Sequence, residues 1–167
     1  ERMNKIYNLI IQNSFNPQID NRVLLIMSGI KMFEQNTPVY QNASQIYNHE
    51  FYWESITDAN DSSVQLNKLK TKLFTDNNQF EEFKKKFVDF GLKEFGSGWL
   101  WIIKDIPGNK LDVITTHDSK VPFNSNQMEI LGVVDLWEHA YYLDYPADRK
   151  KYLEGSFQTL NWKNFVK

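Results

Sequence analysis

The sequence predicts an α+β protein: an N-terminal half like a helical hairpin, then a C-terminal half with a three-stranded antiparallel sheet flanked by helices. Three observations predict it. Apolar residues recur at helical spacing over the first third of the chain, the pattern changes beyond Gly96 to short β-favouring runs, and helical spacing returns after Asp135. The 167 residues suffice for one substantial core or two small layers, and 41% hydrophobic with 15% aromatic content speaks for a globular chain.

Met3, Ile6, Tyr7, Ile10 and Ile11 fall on one helical face, and Asn16-Pro17 closes that first helix. Arg22 to Gln35 repeats the spacing through Val23, Leu24, Met27, Ile30 and Phe33, and Thr37-Pro38 ends it. A third helix, from Asn42 to Ile56, carries Gln45 and His49. The polar stretch Thr57 to Ser63 reads as a loop, dividing an N-terminal helical part, 1–58, from a C-terminal α+β part, 64–167. Helices are expected at 64–74 and 78–94. Trp99 to Ile103 and Leu111 to Thr115 then read as strands joined across Pro107-Gly108-Asn109, as in a hairpin, and a third strand, Ile130 to Val134, delivers Asp135. Glu138 to Leu143, Arg149 to Leu153 and Gln158 to Phe165 read as short closing helices interrupted by Pro146.

A net charge of −2 argues against a broad phosphate-binding surface, and Lys84-Lys85-Lys86 reads as a solvated helix face. The absence of cysteine removes disulfides and thiolate sites from consideration. No apolar run approaches a membrane span, and the first residues lack the basic start and apolar stretch of a secretory signal, so a soluble chain is expected.

Chemistry concentrates in two segments. Only three histidines exist, and two of them, His49 and His139, sit among aromatic residues, where a charged ring is costly and a neutral, metal-bound ring is not. Asp135 lies four residues before His139. One carboxylate and two imidazoles suit a borderline first-row ion, and a site with an exchangeable position favours iron or manganese redox chemistry over a closed zinc site. Spacing alone does not choose the metal, and the Asp135–His139 spacing also fits a hydrogen-bonded core pair without any metal. A hydrolytic metalloenzyme is disfavoured, because Glu138 is the one candidate general base near the ligand set. His117, in the hairpin connection, reads as a surface residue.

Three ordered segments, Asn48-His-Glu-Phe-Tyr-Trp53, Phe95-Gly-Ser-Gly-Trp-Leu-Trp101 and Asp135-Leu-Trp-Glu-His-Ala-Tyr-Tyr-Leu-Asp-Tyr145, resemble the core motifs of the iron/manganese superoxide dismutase family. The likeness runs from about Lys5 to the C-terminus, and the last segment is its most specific part. It implies that His49, Asp135 and His139 are three of four protein ligands to iron, or manganese, in an oxidoreductase that disproportionates superoxide to dioxygen and hydrogen peroxide. It further implies that Gln45, one turn before His49, hydrogen-bonds the solvent ligand in the iron-type manner, since the hairpin position that supplies this glutamine in manganese-type members is Ser119 here. By the same resemblance Trp53, Trp99, Trp101 and Trp137 wall the ligands. Glu138 and Tyr142 are dimer-interface candidates, for a homodimer or for pairing with another dismutase-like chain.

The chain also departs from the pattern. The resemblance places the first ligand histidine upstream of Glu1, and the family's gateway tyrosine falls at Arg2. Two readings follow. Upstream residues complete an active dismutase, or the fold persists as a catalytically degenerate structural subunit, without cofactor, among protein partners in an organellar assembly such as the mitochondrial ribosome. A mitochondrial location is the compartment expected, with any such address lying upstream of Glu1.

Overall fold

A computed structural model of the chain describes residues 38–122 and 126–165. The two helices expected before Pro38 lie outside the described residues. The chain divides into two compact units, Glu1–Glu50 with Ser119–Val121, and Phe51–Asp118 with Pro122–Lys167. The fold matches the α+β expectation, with four helices and a three-stranded antiparallel sheet among the described residues.

Helix α1 spans Pro38–Glu54. Pro38 therefore opens this helix rather than only closing the previous one, as suits a residue with a fixed φ and no N–H at a position whose N–H has no intrahelical partner. In the first unit, the α1 residues Tyr40, Ala43, Ser44, Tyr47 and Asn48 are buried, the spacing of one helical stripe. Asn48 Nδ2 donates to the carbonyl of Ser119 at 3.5 Å, tying the helix to the turn after the second strand.

The second unit begins with the last turn of α1. Helix α2, Ala59–Leu73, starts earlier than the sequence reading allowed, and the supposed loop at Thr57 to Ser63 is mostly its first turn. The polarity there has a different cause. Asp58 is an N-cap whose carboxylate accepts from the N–H groups of Asn60 and Asp61 at 2.9 and 3.0 Å, and polar residues favour a helix start. Helix α3, Asn77–Lys93, is capped by Asp76, which accepts from Gln79 N, while Gln79 Oε1 accepts from Thr75 N.

Strands β1 (Gly98–Asp105), β2 (Lys110–His117) and β3 (Met128–Asp135) form a sheet in the order β2-β1-β3. The hairpin between β1 and β2 turns through Asn109, which adopts a φ of 44°, a conformation that asparagine tolerates. Register places Trp99 opposite Thr116 and Asp135, and Trp101 opposite Ile114 and Val133. Partners directly opposite share a face, so Trp99, Trp101 and Asp135 stand on one side of the sheet. Leu100, Ile102, Val113 and Val134 take the other side and join the core with Leu69, Phe83, Phe87, Leu153, Phe157 and Trp162.

The closing region is more continuous than expected. Helix α4 runs unbroken over Arg149–Thr159, so the break read between Leu153 and Gln158 does not exist. Buried Tyr152, Leu153 and Phe157 carry one face straight through Gly155. Glu138–Ala140 and Trp162–Phe165 are 3-10 turns rather than longer helices. At the far edge of the sheet, Ser55 Oγ accepts from Val133 N at 3.1 Å and donates to Phe51 O at 2.7 Å. No helix among the described residues is long and apolar enough to cross a membrane.

Candidate metal centre

Strand β3 ends at Asp135 because its own side chain turns the backbone. Oδ1 accepts from Trp137 N at 2.9 Å, the short aspartate-to-backbone bond of a turn, and the 3-10 turn Glu138–Ala140 follows at once. Asp135 is 1% exposed, and a carboxylate so buried needs donors or a cation on both oxygens. Its Oδ2 lies 3.1 Å from His139 Nε2. Two ligand atoms each about 2.1 Å from one ion and at right angles to each other would stand about 3.0 Å apart. That edge therefore fits a shared ion as well as it fits a hydrogen bond. The His139 ring stacks on Trp137 with centroids 5.9 Å apart, yet its side chain is 57% exposed, more than its aromatic neighbours in the sequence imply.

In the first unit, His49 Nδ1 lies 2.7 Å from the backbone carbonyl of Gln45. A carbonyl only accepts, so the proton of the neutral ring belongs on Nδ1 and the lone pair on Nε2, the arrangement a metal-ligating imidazole uses. The Gln45 side-chain carbonyl, Oε1, is buried with no hydrogen-bond partner among the described residues. Ser119 is also buried.

Trp99 and Trp101 are fully buried on the Asp135 side of the sheet, with Trp101 Nε1 donating to Thr116 Oγ1 at 2.8 Å and its ring stacked on Phe51. Trp137 is half-buried. Trp53 is more open than its place in the motif implies: among the described residues it is 62% exposed, against Tyr52. Helix phase explains it, since Trp53 falls off the stripe that buries Tyr47, Asn48 and Ser55. Glu138 and Tyr142 are exposed and joined by the Tyr142 N–H to the Glu138 carbonyl at 2.8 Å. Arg2 lies outside the described residues. His117 is half-exposed between Glu94 and Asp118, as a surface residue would be.

Residues 65–167 match the family model described as iron/manganese superoxide dismutases, C-terminal domain. The chain belongs to the iron/manganese superoxide dismutase family. Among its relatives are the superoxide dismutase [Fe] of Salmonella typhimurium, 37% identical over 129 residues, and that of Escherichia coli K12, 36% identical over the same length. Each alignment covers 77% of this chain and 65% of the relative. The Helicobacter pylori superoxide dismutase [Fe] is 37% identical over 124 residues, covering 74% of this chain and 57% of its own length. The chain thus spans somewhat less than two thirds of the dismutases it matches.

The dismutase motifs do not point to the residues that hold the Asp135 turn in place. Tyr152 donates its hydroxyl to the Asp135 carbonyl at 2.8 Å, and Tyr52 stands 3.3 Å from that hydroxyl. Burial, reinforced by the neighbouring phenol, pushes the Tyr152 pKa far above the ordinary tyrosine range. Burial likewise raises that of Tyr52, against the lowering effect of its bond to Tyr152. Both phenols stay neutral donors. Arg149 was equally hidden, because an arginine opening a helix reads as a solvated charge. One signal was available in retrospect: Arg149 and Tyr152 are three apart in a segment whose next apolar residue, Leu153, is buried.

Proposed function

We propose that this chain is the greater part of a superoxide dismutase in which His49, Asp135 and His139, with an upstream histidine, hold iron, or alternatively manganese. The observation that carries the reading is the Asp135–His139 pair, a buried carboxylate and an imidazole whose ligand atoms lie 3.1 Å apart. The donor set fits, since carboxylate with imidazole suits both metals. Bound there, the metal supplies one-electron redox chemistry, so that two superoxide anions and two protons become dioxygen and hydrogen peroxide. Iron is favoured by the buried Gln45 carbonyl and by relatives that are named as iron enzymes.

Each protein group has a part in this. Asp135 contributes negative charge that lowers the electron affinity of the site. Trp137 N fixes one carboxylate oxygen so that the other faces His139. Gln45 biases the proton on the solvent molecule that the site would hold, coupling proton to electron transfer. Glu138 and Tyr142, exposed on the chain, would meet a second dismutase chain. None of the relatives speaks for the structural-subunit reading.

The test uses the full-length protein, loaded anaerobically with iron or with manganese. Near one bound metal per chain and superoxide consumption far above the spontaneous rate are expected, with both lost in Asp135→Ala. A loaded protein that leaves the superoxide lifetime unchanged would overturn the assignment.

A further inference from the structure

Helix α4 grips the Asp135–His139 turn by its backbone. Arg149 opens the helix and Tyr152 follows three residues later, so both side chains leave the same face. Tyr152 binds the carbonyl of Asp135 at 2.8 Å, and Arg149 Nη2 binds the carbonyl of the next residue, Leu136, at 3.0 Å. The same guanidinium reaches the Glu94 and Gly96 carbonyls, both at 2.6 Å, and the Tyr141 hydroxyl at 3.2 Å. One side chain thereby fixes the turn that leads into β1, the first residue after Asp135, and a residue two past His139. A planar fork with five donors can serve partners spread around it, whereas a lysine offers a point charge on a flexible stem.

The relative placement of Asp135 Oδ2 and His139 Nε2 depends on the backbone torsions between them. Local bonds shape that backbone, among them Trp137 N–H to Asp135 Oδ1, Leu136 N–H to Gly98 O at 2.9 Å and Ala140 N–H to Trp137 O at 3.0 Å, and the α4 contacts add the ties of Asp135 O and Leu136 O to a distant helix. Ordering such a turn in advance removes the entropic cost of ordering it when the ligand arrives. We propose that Arg149 and Tyr152 are positioning residues that pre-set the Asp135–His139 pair for metal. The inference rests on the metal site proposed above.

The test compares wild type with R149M, R149K and Y152F as full-length proteins. Three quantities are read: Mn(II) and Fe(II) affinity by competition with a chelator, the Mn(II) electron paramagnetic resonance spectrum, and the unfolding midpoint of the metal-free form. Affinity is expected to fall about tenfold to a hundredfold in R149M and R149K, and less in Y152F, with an altered Mn(II) spectrum. Variants that bind as tightly as wild type, with an unchanged spectrum and only a lower metal-free midpoint, would reduce both residues to structural ties and overturn the proposal. Should R149M fail to fold, R149K and Y152F decide the matter by the same readouts. A wild type that binds no metal at all fails differently, because it removes the site itself.

Discussion

Gly98 starts the central strand, and the space beside it is already occupied. A Cβ added there would lie 2.4 Å from the carbonyl oxygen of Thr116 on β2, whereas a carbon–oxygen contact ordinarily settles at about 3.3–3.6 Å. Relief requires about 1 Å of movement between two paired backbones, and the Gly98 carbonyl also receives Leu136 N. Gly98→Ala should therefore destabilise the protein by about 3 kcal/mol, near the upper end for an overpacked interior. For a chain of this size that is about 6–12 °C in Tm. Gly132→Ala is the matched control. Its Cβ would meet the Phe165 ring tip at 3.2 Å, a side chain that can yield, and the stiffer unfolded chain returns part of the loss, so a net effect of about 0–1 kcal/mol is expected. Urea unfolding of both variants, read as the shift in midpoint at unchanged slope, measures the difference. If Gly98→Ala proves no more harmful than Gly132→Ala, the reasoning from backbone contact is wrong.

Two further outcomes are expected. Phe157 is 2% exposed and packs against Phe80, Phe83, Phe87 and Trp162, so Phe157→Ala should cost about 3–5 kcal/mol in chemical denaturation. Because burial raises the Tyr152 pKa above its ordinary 10.0, the unfolded chain loses that proton first as pH rises. Stability should thus decline above about pH 10, by at most about 1.4 kcal/mol per pH unit from this group, and Tyr152→Phe should flatten the decline in a series of unfolding curves from pH 9 to 11.

The fold was legible where periodicity was strong. The β-favouring runs around Trp99 and Val113 and the long apolar stripe of α3 were placed to within a few residues. The start of α2 was missed because a capped helix end and a loop share the same polar residues, and only the Asp58 carboxylate on two N–H groups tells them apart. The continuity of α4 was missed because Gly155 and polar neighbours dilute its pattern, while its burial rests on just Tyr152, Leu153 and Phe157. At the site, the Asp135–His139 pairing followed from motif spacing. The exposure of Trp53 did not, since a motif names residues without giving the helix phase. The bonds of Arg149 to three carbonyls were invisible for a related reason: main-chain acceptors carry no sequence signature.

The hydroxyl of Ser55 on Val133 N reaches past local geometry. β3 is an outer strand among the described residues, and the outward amides of an outer strand are a template on which another chain can add. The segment that follows α1 occupies one of them and so acts as a guard rail. A molecule in which that segment had peeled away would offer Met128–Asp135, the stretch bearing the aspartate, to its neighbours. Its route to damage would be strand-by-strand growth between copies, with the Asp135–His139 pair pulled apart as a by-product.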